Sequence, residues 1–316
     1  MITQWHYHYA GLSIASELPI PEWSIFERKK PDRNVDVRIL LDRIRQTDTP
    51  GRSESWLSPD EFRLCIPEAG EYRIMHGREI VVSPAPAAGE GEVRLFLLGS
   101  AWGALCYQRG IPAMHASVVL TSAGAVAFCG APGAGKSTLA AWLLARGYEL
   151  VSDDLCCVDV TGPVPRVYLS APRLKLWSDA LAMLELSSEG LARDLCRMDK
   201  FIIELTADKK PVRRAAIPLR AVCVLEWGNP GLTRLRGMNA LRRLVSSATY
   251  RTSFIESLGK TGSYWEQCVQ LARLTPVWVL RRPQNWAAME GAISRIAQQW
   301  RPVERTGKGD RNLPWK

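Results

Sequence analysis

Nine consecutive residues, Gly130, Ala131, Pro132, Gly133, Ala134, Gly135, Lys136, Ser137 and Thr138, join three glycines to a cation and two hydroxyls. That set suits the enclosure of a polyphosphate. Several negative charges in a small volume call for many inward donors with no side chains in the way, and glycine lets the backbone N–H groups of Gly133 and Gly135 turn toward phosphate oxygens. The helix expected to open near Lys136 adds its positive end. Lys136 then sets a cation on the β- and γ-phosphates of ATP, and Ser137 offers a hydroxyl to a bridging Mg²⁺. The competing reading is a plain glycine turn with an exposed lysine. An apolar run before the loop and a helical pattern after it favour the phosphate site.

Asp153 and Asp154 follow a short run, Glu149 to Ser152. That run is expected to be the strand beside the loop-bearing strand of a parallel sheet, whose carboxyl ends gather ligand groups. One carboxylate can hold Mg²⁺ through water and the other can take the proton of an attacking hydroxyl, which a kinase needs and a plain nucleotide binder does not. Aspartates also settle at strand-end turns through local hydrogen bonding alone. His115 heads the run Ala116 to Leu120, where a lone histidine is more often structural than catalytic. Arg173 and Lys175 alternate on one expected strand and share a face, with Leu174 and Leu176 on the other. Together with Lys200 they are candidates for anion contacts or, equally, solvated charges.

The elements that must hold these groups read as an α/β core behind a β-rich region. From Trp5 to about Pro84 short alternating runs (Val35 to Leu40, Phe62 to Ile66, Tyr72 to Met75, Glu79 to Val82) are separated by Pro, Gly and Asp clusters. Helical spacing from Gly91 to Arg109 stops at Gly110 and Pro112. A hairpin (Ala116 to Leu120, Ala125 to Cys129, turn Thr121 to Gly124) leads into the loop, then a helix from Thr138 to Arg146 closed by Gly147. Strands follow at Ala221 to Trp227 and Val277 to Leu280, and helices at Asn239 to Ser247, Tyr264 to Arg273 and Trp286 to Trp300. Trp142 and Trp300 fall on helix patterns and read as core. The expected division is residues 1–90, 91–300 and a disordered basic tail at 301–316.

The chain has 316 residues, 47% hydrophobic and 23% charged, the composition of a folded protein of one large or two smaller domains. A formal charge of +9 inclines the surface toward anions. Without a recognisable motif or a basic run interleaved with aromatics, nucleic acid is not an expected partner. Eight scattered cysteines without C-x-x-C pairs read as reduced core thiols. The most apolar stretch, Leu95 to Tyr107, falls short of the ~20 residues of a membrane span, and no secretory signal stands at residues 1–8. A cytoplasmic protein is the expectation.

From His115 to Asp159 the chain resembles the HPr kinase/phosphorylase family, bacterial enzymes that phosphorylate a serine of a small carrier protein with ATP. In that family a histidine, the loop's Lys-Ser and a strand ending in two aspartates recur as one block, matched here by His115, Lys136, Ser137, Asp153 and Asp154. The resemblance implies Asp154 as proton acceptor, Asp153 near the metal, and His115 tuning the base by hydrogen bonding. The family's Glu-Ile-Arg-Gly signature has no counterpart. Ser170 to Trp177 reads Ser-Ala-Pro-Arg-Leu-Lys-Leu-Trp, without an acid, which implies a kinase lacking phosphorylase activity. The N-terminal region is also unlike that family's. The chain is similar in layout to a divergent branch, the kinases that phosphorylate the terminal serine of lasso-peptide precursors.

An ATP-dependent kinase acting on a serine of a peptide or protein is therefore the leading expectation. A small-molecule kinase differs from it in needing an enclosed acceptor pocket instead of an open groove. A non-catalytic ATP-dependent switch is the third reading, against which Asp154 stands, since a switch has no need of a carboxylate placed to take a proton. Acceptor identity, nucleotide preference and any homo-oligomeric state are left open.

Overall fold

The computed structural model describes residues 4–30, 32–42, 53–58, 60–194, 198–205, 216–257, 259 and 261–301. The tail expected to be disordered lies, beyond Arg301, outside the described residues. In chain order the first strands are β1 (Trp5–Tyr9), β2 (Leu12–Ser16), β3 (Val37–Leu41), β4 (Ser53–Ser58), β5 (Glu61–Ile66), β6 (Gly70–Met75) and β7 (Glu79–Pro84). Next come α1 (Glu90–Phe96), α2 (Trp102–Gln108), β8 (Ala113–Thr121), β9 (Gly124–Cys129), α3 (Lys136–Ala145), β10 (Glu149–Ser152), β11 (Leu155–Asp159) and β12 (Arg166–Tyr168). Then follow β13 (Arg173–Trp177), α4 (Ser178–Met183), β14 (Ala192–Arg193), β15 (Lys200–Glu204), β16 (Ala216–Trp227) and β17 (Gly231–Leu235). The last are α5 (Gly237–Ala248), α6 (Thr252–Ser257), α7 (Thr261–Leu274), β18 (Val277–Arg282) and α8 (Trp286–Gln299).

The described chain divides into two compact units, one drawn from Met1–Ala113 and Arg251–Trp265, the other from Met114–Asp208, Ala216–Tyr250 and Glu266–Lys316. In the first, the alternating runs form a seven-stranded sheet in the order β1-β2-β3-β7-β6-β5-β4. Alternation at Phe62, Leu64 and Ile66 and at Tyr72 and Ile74 puts these side chains out of water, as period-two patterning requires. The predicted helix from Gly91 to Arg109 is α1 and α2 joined by one π turn, Leu97–Ala101. Tyr9, Trp23 and Trp102 cluster at ring-centroid distances of 4.7 to 5.5 Å. The strands β1, β2 and β4 were not singled out from the sequence within this β-rich region.

The second unit is built on an eight-stranded sheet, β10-β8-β11-β12-β16-β18-β17, with β9 bonded to both β8 and β16, and on a small sheet β13-β15-β14. Here the structure corrects an expectation. β10 is not beside the loop-bearing β9, and the sheet is mixed instead of parallel. The predicted hairpin accounts for both. Thr121 Oγ1 accepts from the Ala123 amide at 3.2 Å and donates to Gly124 O at 2.7 Å, closing a tight turn. That turn fixes β8 antiparallel along one flank of β9, while β16 lies parallel along the other. No edge of β9 is left for β10, which pairs antiparallel with β8.

Helix α3 ends as its sequence predicts. Tyr148 N donates to Leu143 O at 3.2 Å and Gly147 N to Leu144 O at 3.0 Å, the paired bonds of a glycine-closed terminus. Leu139 and Leu143 of α3 and Phe128 of β9 are fully buried in the same core, each contributing roughly 1.5–3 kcal/mol by leaving water. Trp300 is in that core, edge-on to Trp278 at 5.8 Å. Trp142 is half-buried at its margin beneath the Arg146 guanidinium, 4.1 Å from the ring centroid. The seven cysteines among the described residues are buried thiols, and Cys196 lies outside those residues. No helix of the described residues is long and apolar enough to cross a membrane.

Gly124 closes the hairpin turn with φ 129°, a region all but reserved for glycine, and an added Cβ there would meet Pro218 O at 2.7 Å. Gly124→Ala is therefore expected to cost roughly 1–3 kcal/mol. Urea unfolding followed by tryptophan fluorescence checks this. An unshifted midpoint would show that the turn has a second conformation available.

Candidate functional site

Strand direction decides where the chemistry collects. β9, β16 and β18 run parallel, so the glycine-rich loop, Trp227 and Arg282 emerge at one edge of the sheet. β8 runs against them and begins at this edge, with Ala116 opposite Cys129 in register, which sets His115 and Ser117 there. Being antiparallel to β8 as well, β10 also ends there and delivers Asp153 and Asp154. At this edge lies a cavity of about 540 Å³, whose lining includes His115, Pro132, Gly133, Gly135, Lys136, Ser137, Thr138, Asp153, Asp154, Lys175 and Lys200. Arg173, by contrast, does not line it.

The loop turns through Gly133 at φ 78° and Gly135 at φ 70°, the latter standing immediately before α3. Gly130, Ala131 and Ala134 do not line the cavity, and their carbonyls serve as acceptors. Lys136 Nζ donates to Gly130 O at 3.0 Å and to Ala131 O at 3.3 Å. Ala134 O accepts from Arg282 Nη2. Lys136 is buried, and that burial lowers its pKa despite the nearby Cys129, Asp154 and Asp153. A desolvated cation held by carbonyls instead of a carboxylate is one that an anionic ligand can compensate, and it binds such a ligand more strongly than a hydrated lysine does.

The two aspartates are neighbours in sequence and opposites in environment. Asp153 Oδ1 accepts from Ser117 Oγ at 2.6 Å and from Ser137 Oγ at 3.0 Å, and its Oδ2 from the Lys175 amide at 3.2 Å. Burial nevertheless raises its pKa, helped by the charge of Asp154 and opposed by these hydrogen bonds. Asp154 adopts φ 72°, a left-handed backbone that aspartate tolerates better than most residues. Its Oδ2 lies 3.3 Å from Lys175 Nζ and its Oδ1 3.3 Å from His115 Nδ1. Burial alone would raise this carboxyl, but Lys175 and His115 outweigh it and hold the pKa well below the usual carboxylate range. His115 Nδ1 is also 3.1 Å from the Asp154 carbonyl oxygen.

Among the described residues no group of three or more His, Cys, Asp or Glu could hold a metal ion. Mg²⁺ does not need one. It keeps several waters and is usually held by one or two protein groups together with substrate phosphates. Ser137 Oγ and Asp153 Oδ1, hard oxygens already in contact, are a donor set of that kind.

Lys175 is buried, and although burial opposes its charge, Asp154 and then Asp194 raise its pKa. Its Nζ is 3.0 Å from Asp194 Oδ1, and Lys200 Nζ is 4.0 Å from Asp194 Oδ2. The sequence reading missed Ser117, Asp194, Trp227 and Arg282. Ser117 had a usable signal, since it is two residues after His115 on a strand and faces the same way. Trp227 ends the predicted strand Ala221 to Trp227, whereas Arg282 lies two residues beyond the predicted end of the other at Leu280, because β18 runs on to Arg282. Asp194 had no local signal at all.

No protein-family model matches this chain, and no curated protein matches it either. Among solved structures it is similar to the HPr(Ser) kinase/phosphatase from Coxiella burnetii, at 12% identity over 59% of this chain and 95% of that one, with a TM-score of 0.31.

Proposed function

We propose that the second unit is an ATP-dependent phosphotransferase that moves the γ-phosphate to a hydroxyl, with a serine of a peptide or protein as acceptor. One observation carries this reading. Lys136 and Ser137, which suit a phosphate loop, share a single cavity with two carboxylates in contrasting states, one hydrogen-bonded to Ser137 and the other held ionised beside His115. A binding module would have use for the first carboxylate and none for the second.

Each residue takes a role from its surroundings. Gly133 and Gly135 give the loop a backbone that can turn donors inward, and Lys136 supplies the cation for the terminal phosphates. Ser137 and Asp153 would hold Mg²⁺ through their oxygens, and the ion would supply neutralisation of the charge that develops on the phosphates. Asp154 receives the proton of the acceptor hydroxyl. Its low pKa suits a loose transition state, in which the proton leaves late and orientation of the hydroxyl matters more than basicity. Lys175 and His115 hold the Asp154 carboxylate in place. Trp177 and Met183, exposed and lining the same cavity as Asp154, offer apolar surface that would suit the chain around an acceptor serine. The resemblance noted from the sequence favours a peptide whose serine is terminal.

The direct test is transfer of labelled γ-phosphate, in the presence of Mg²⁺, to peptides ending in serine and to the same peptides ending in alanine. Label on the first set alone is the expected outcome. Labelling of small hydroxyl compounds but of no peptide would move the acceptor to the small-molecule class. Hydrolysis without any transfer would favour a switch.

Lys136→Ala should weaken binding of a non-hydrolysable ATP analogue about 10- to 150-fold, the worth of roughly 1.5–3 kcal/mol for a charged hydrogen bond. Isothermal titration reads this, and unchanged affinity would remove the loop from the phosphate site. Asp154→Asn should lower kcat by ~10²- to 10⁴-fold while leaving Mg·ATP affinity nearly intact. Asp153→Asn should instead weaken Mg²⁺-dependent nucleotide binding and recover in part as Mg²⁺ is raised, because mass action offsets a lost ligand. If both variants lose metal affinity alone, Asp154 is not the base.

A further inference from the structure

Arg282 ends β18 directly opposite Trp227 in register and is 1% exposed. Its guanidinium lies over the Trp227 indole, 4.2 Å from the ring centroid. An arginine carries five N–H donors, yet one contact is made, from Nη2 to Ala134 O in the glycine-rich loop. Nε and Nη1 are buried without a hydrogen-bond partner, and among the described residues no carboxylate pairs with the group. Burial without compensation lowers its pKa to about 10. Proteins rarely keep such a charge, since an isolated buried ion is among the most unfavourable groups a fold can hold.

The surroundings say what would compensate it. Arg282 lines the same cavity as Lys136. A Cβ placed on Gly135 would stand 3.0 Å from its Nη2 and 3.5 Å from its Nη1, so glycine at this position leaves the guanidinium in contact with the loop backbone. The carboxylates of the cavity are Asp153, Asp154 and Asp179, and none of them pairs with Arg282: Asp153 accepts from serine hydroxyls, Asp154 meets Lys175 and His115, and Asp179 accepts from the Ala180 amide. Among the described residues nothing supplies the missing counter-charge, and a planar fork of donors suits an oxyanion with several oxygens.

We propose that Arg282 is a second cation of the phosphate site, donating from Nε and Nη1 to a bound polyphosphate, while Trp227 keeps its guanidinium in place through the ring face. This rests on the nucleotide reading above and extends it to a residue outside the loop. The competing role is that of a strut, in which the bond to Ala134 O merely holds the loop.

The two roles differ in sign in the free protein. Arg282→Met removes the charge at similar volume, so a ligand cation predicts that the ligand-free Tm of the full chain is unchanged or raised. The Tm rise on adding inorganic pyrophosphate should be lost, and affinity for Mg·ATP by titration calorimetry should fall at least tenfold. Arg282→Lys keeps a charge without the fork and should bind Mg·ATP several-fold more weakly than the native chain at equal Tm, which keeps the test alive should the methionine variant not fold. A lower ligand-free Tm in Arg282→Met, restored in Arg282→Lys with native nucleotide affinity, would overturn the proposal in favour of the strut. Native pyrophosphate and Mg·ATP binding in Arg282→Met would overturn it outright. If the native chain itself binds neither ligand, it is the nucleotide reading that falls, and this one with it.

Discussion

The placement of β8 between β9 and β10, antiparallel to both, is the constraint on which the candidate site depends. Two reversals restore direction, so the loop after β9 and the aspartates after β10 leave the sheet at the same edge although their strands never touch. The reversed strand also starts where the others end. His115 and Ser117 therefore meet Asp154 and Asp153 across a distance that a parallel neighbour could not offer, because its first residues would lie at the opposite edge. The hairpin that enforces this is local and short, which makes the arrangement inexpensive to specify.

What the strands bring together, electrostatics then sorts. The cavity gathers Lys136, Lys175, Lys200 and Arg282 against Asp153, Asp154 and Asp179, with Asp194 behind Lys175. Lys175 and Asp154 neutralise each other locally. Lys136 and Arg282 have carbonyl oxygens as acceptors, and a carbonyl dipole answers a full charge only in part. The positive charge without a carboxylate in contact sits at the loop. A site of this kind is electrostatically incomplete until an anion enters, and the protein bears that strain in the ligand-free state as preorganisation.

The loop, α3, the hairpin and most of the longer strands were legible because each is encoded within a dozen residues. Glycine spacing, Gly147 after Leu144, and the apolar run Ala125 to Cys129 all act on their immediate neighbours. The neighbour of β9 was misread because strand order is a property of the whole sheet. Sequence pattern marks Glu149 to Ser152 as a strand without saying which edge it joins. Arg282 was illegible for the same reason at side-chain scale. Its meaning depends on Trp227 fifty-five residues earlier and on Ala134 far upstream, and no local pattern separates it from the exposed Arg281 beside it. Arg173 and Lys175, which share a strand face by alternation, part company in the structure, where Lys175 lines the cavity and meets Asp154 and Asp194 while Arg173 does not line it.

The contrast between Asp153 and Asp154 follows from one backbone torsion. In a regular strand the two side chains would point to opposite faces of the sheet, one into the core and one away from it. The left-handed φ of Asp154 breaks that alternation as the chain leaves β10 for β11, and both carboxylates reach the cavity. Asp153, directly after the last residue of β10, meets the hydroxyls of Ser117 and Ser137, neutral donors that steady a carboxylate without matching its charge. Asp154, swung out of line, meets Lys175 and His115. A cation stabilises an ionised carboxyl more than hydroxyls can, so the pKa of one rises with burial while that of the other falls in spite of it. Two identical residues thus acquire the separate properties that the proposed roles in metal holding and proton acceptance require, and the left-handed torsion at Asp154 is where that separation originates.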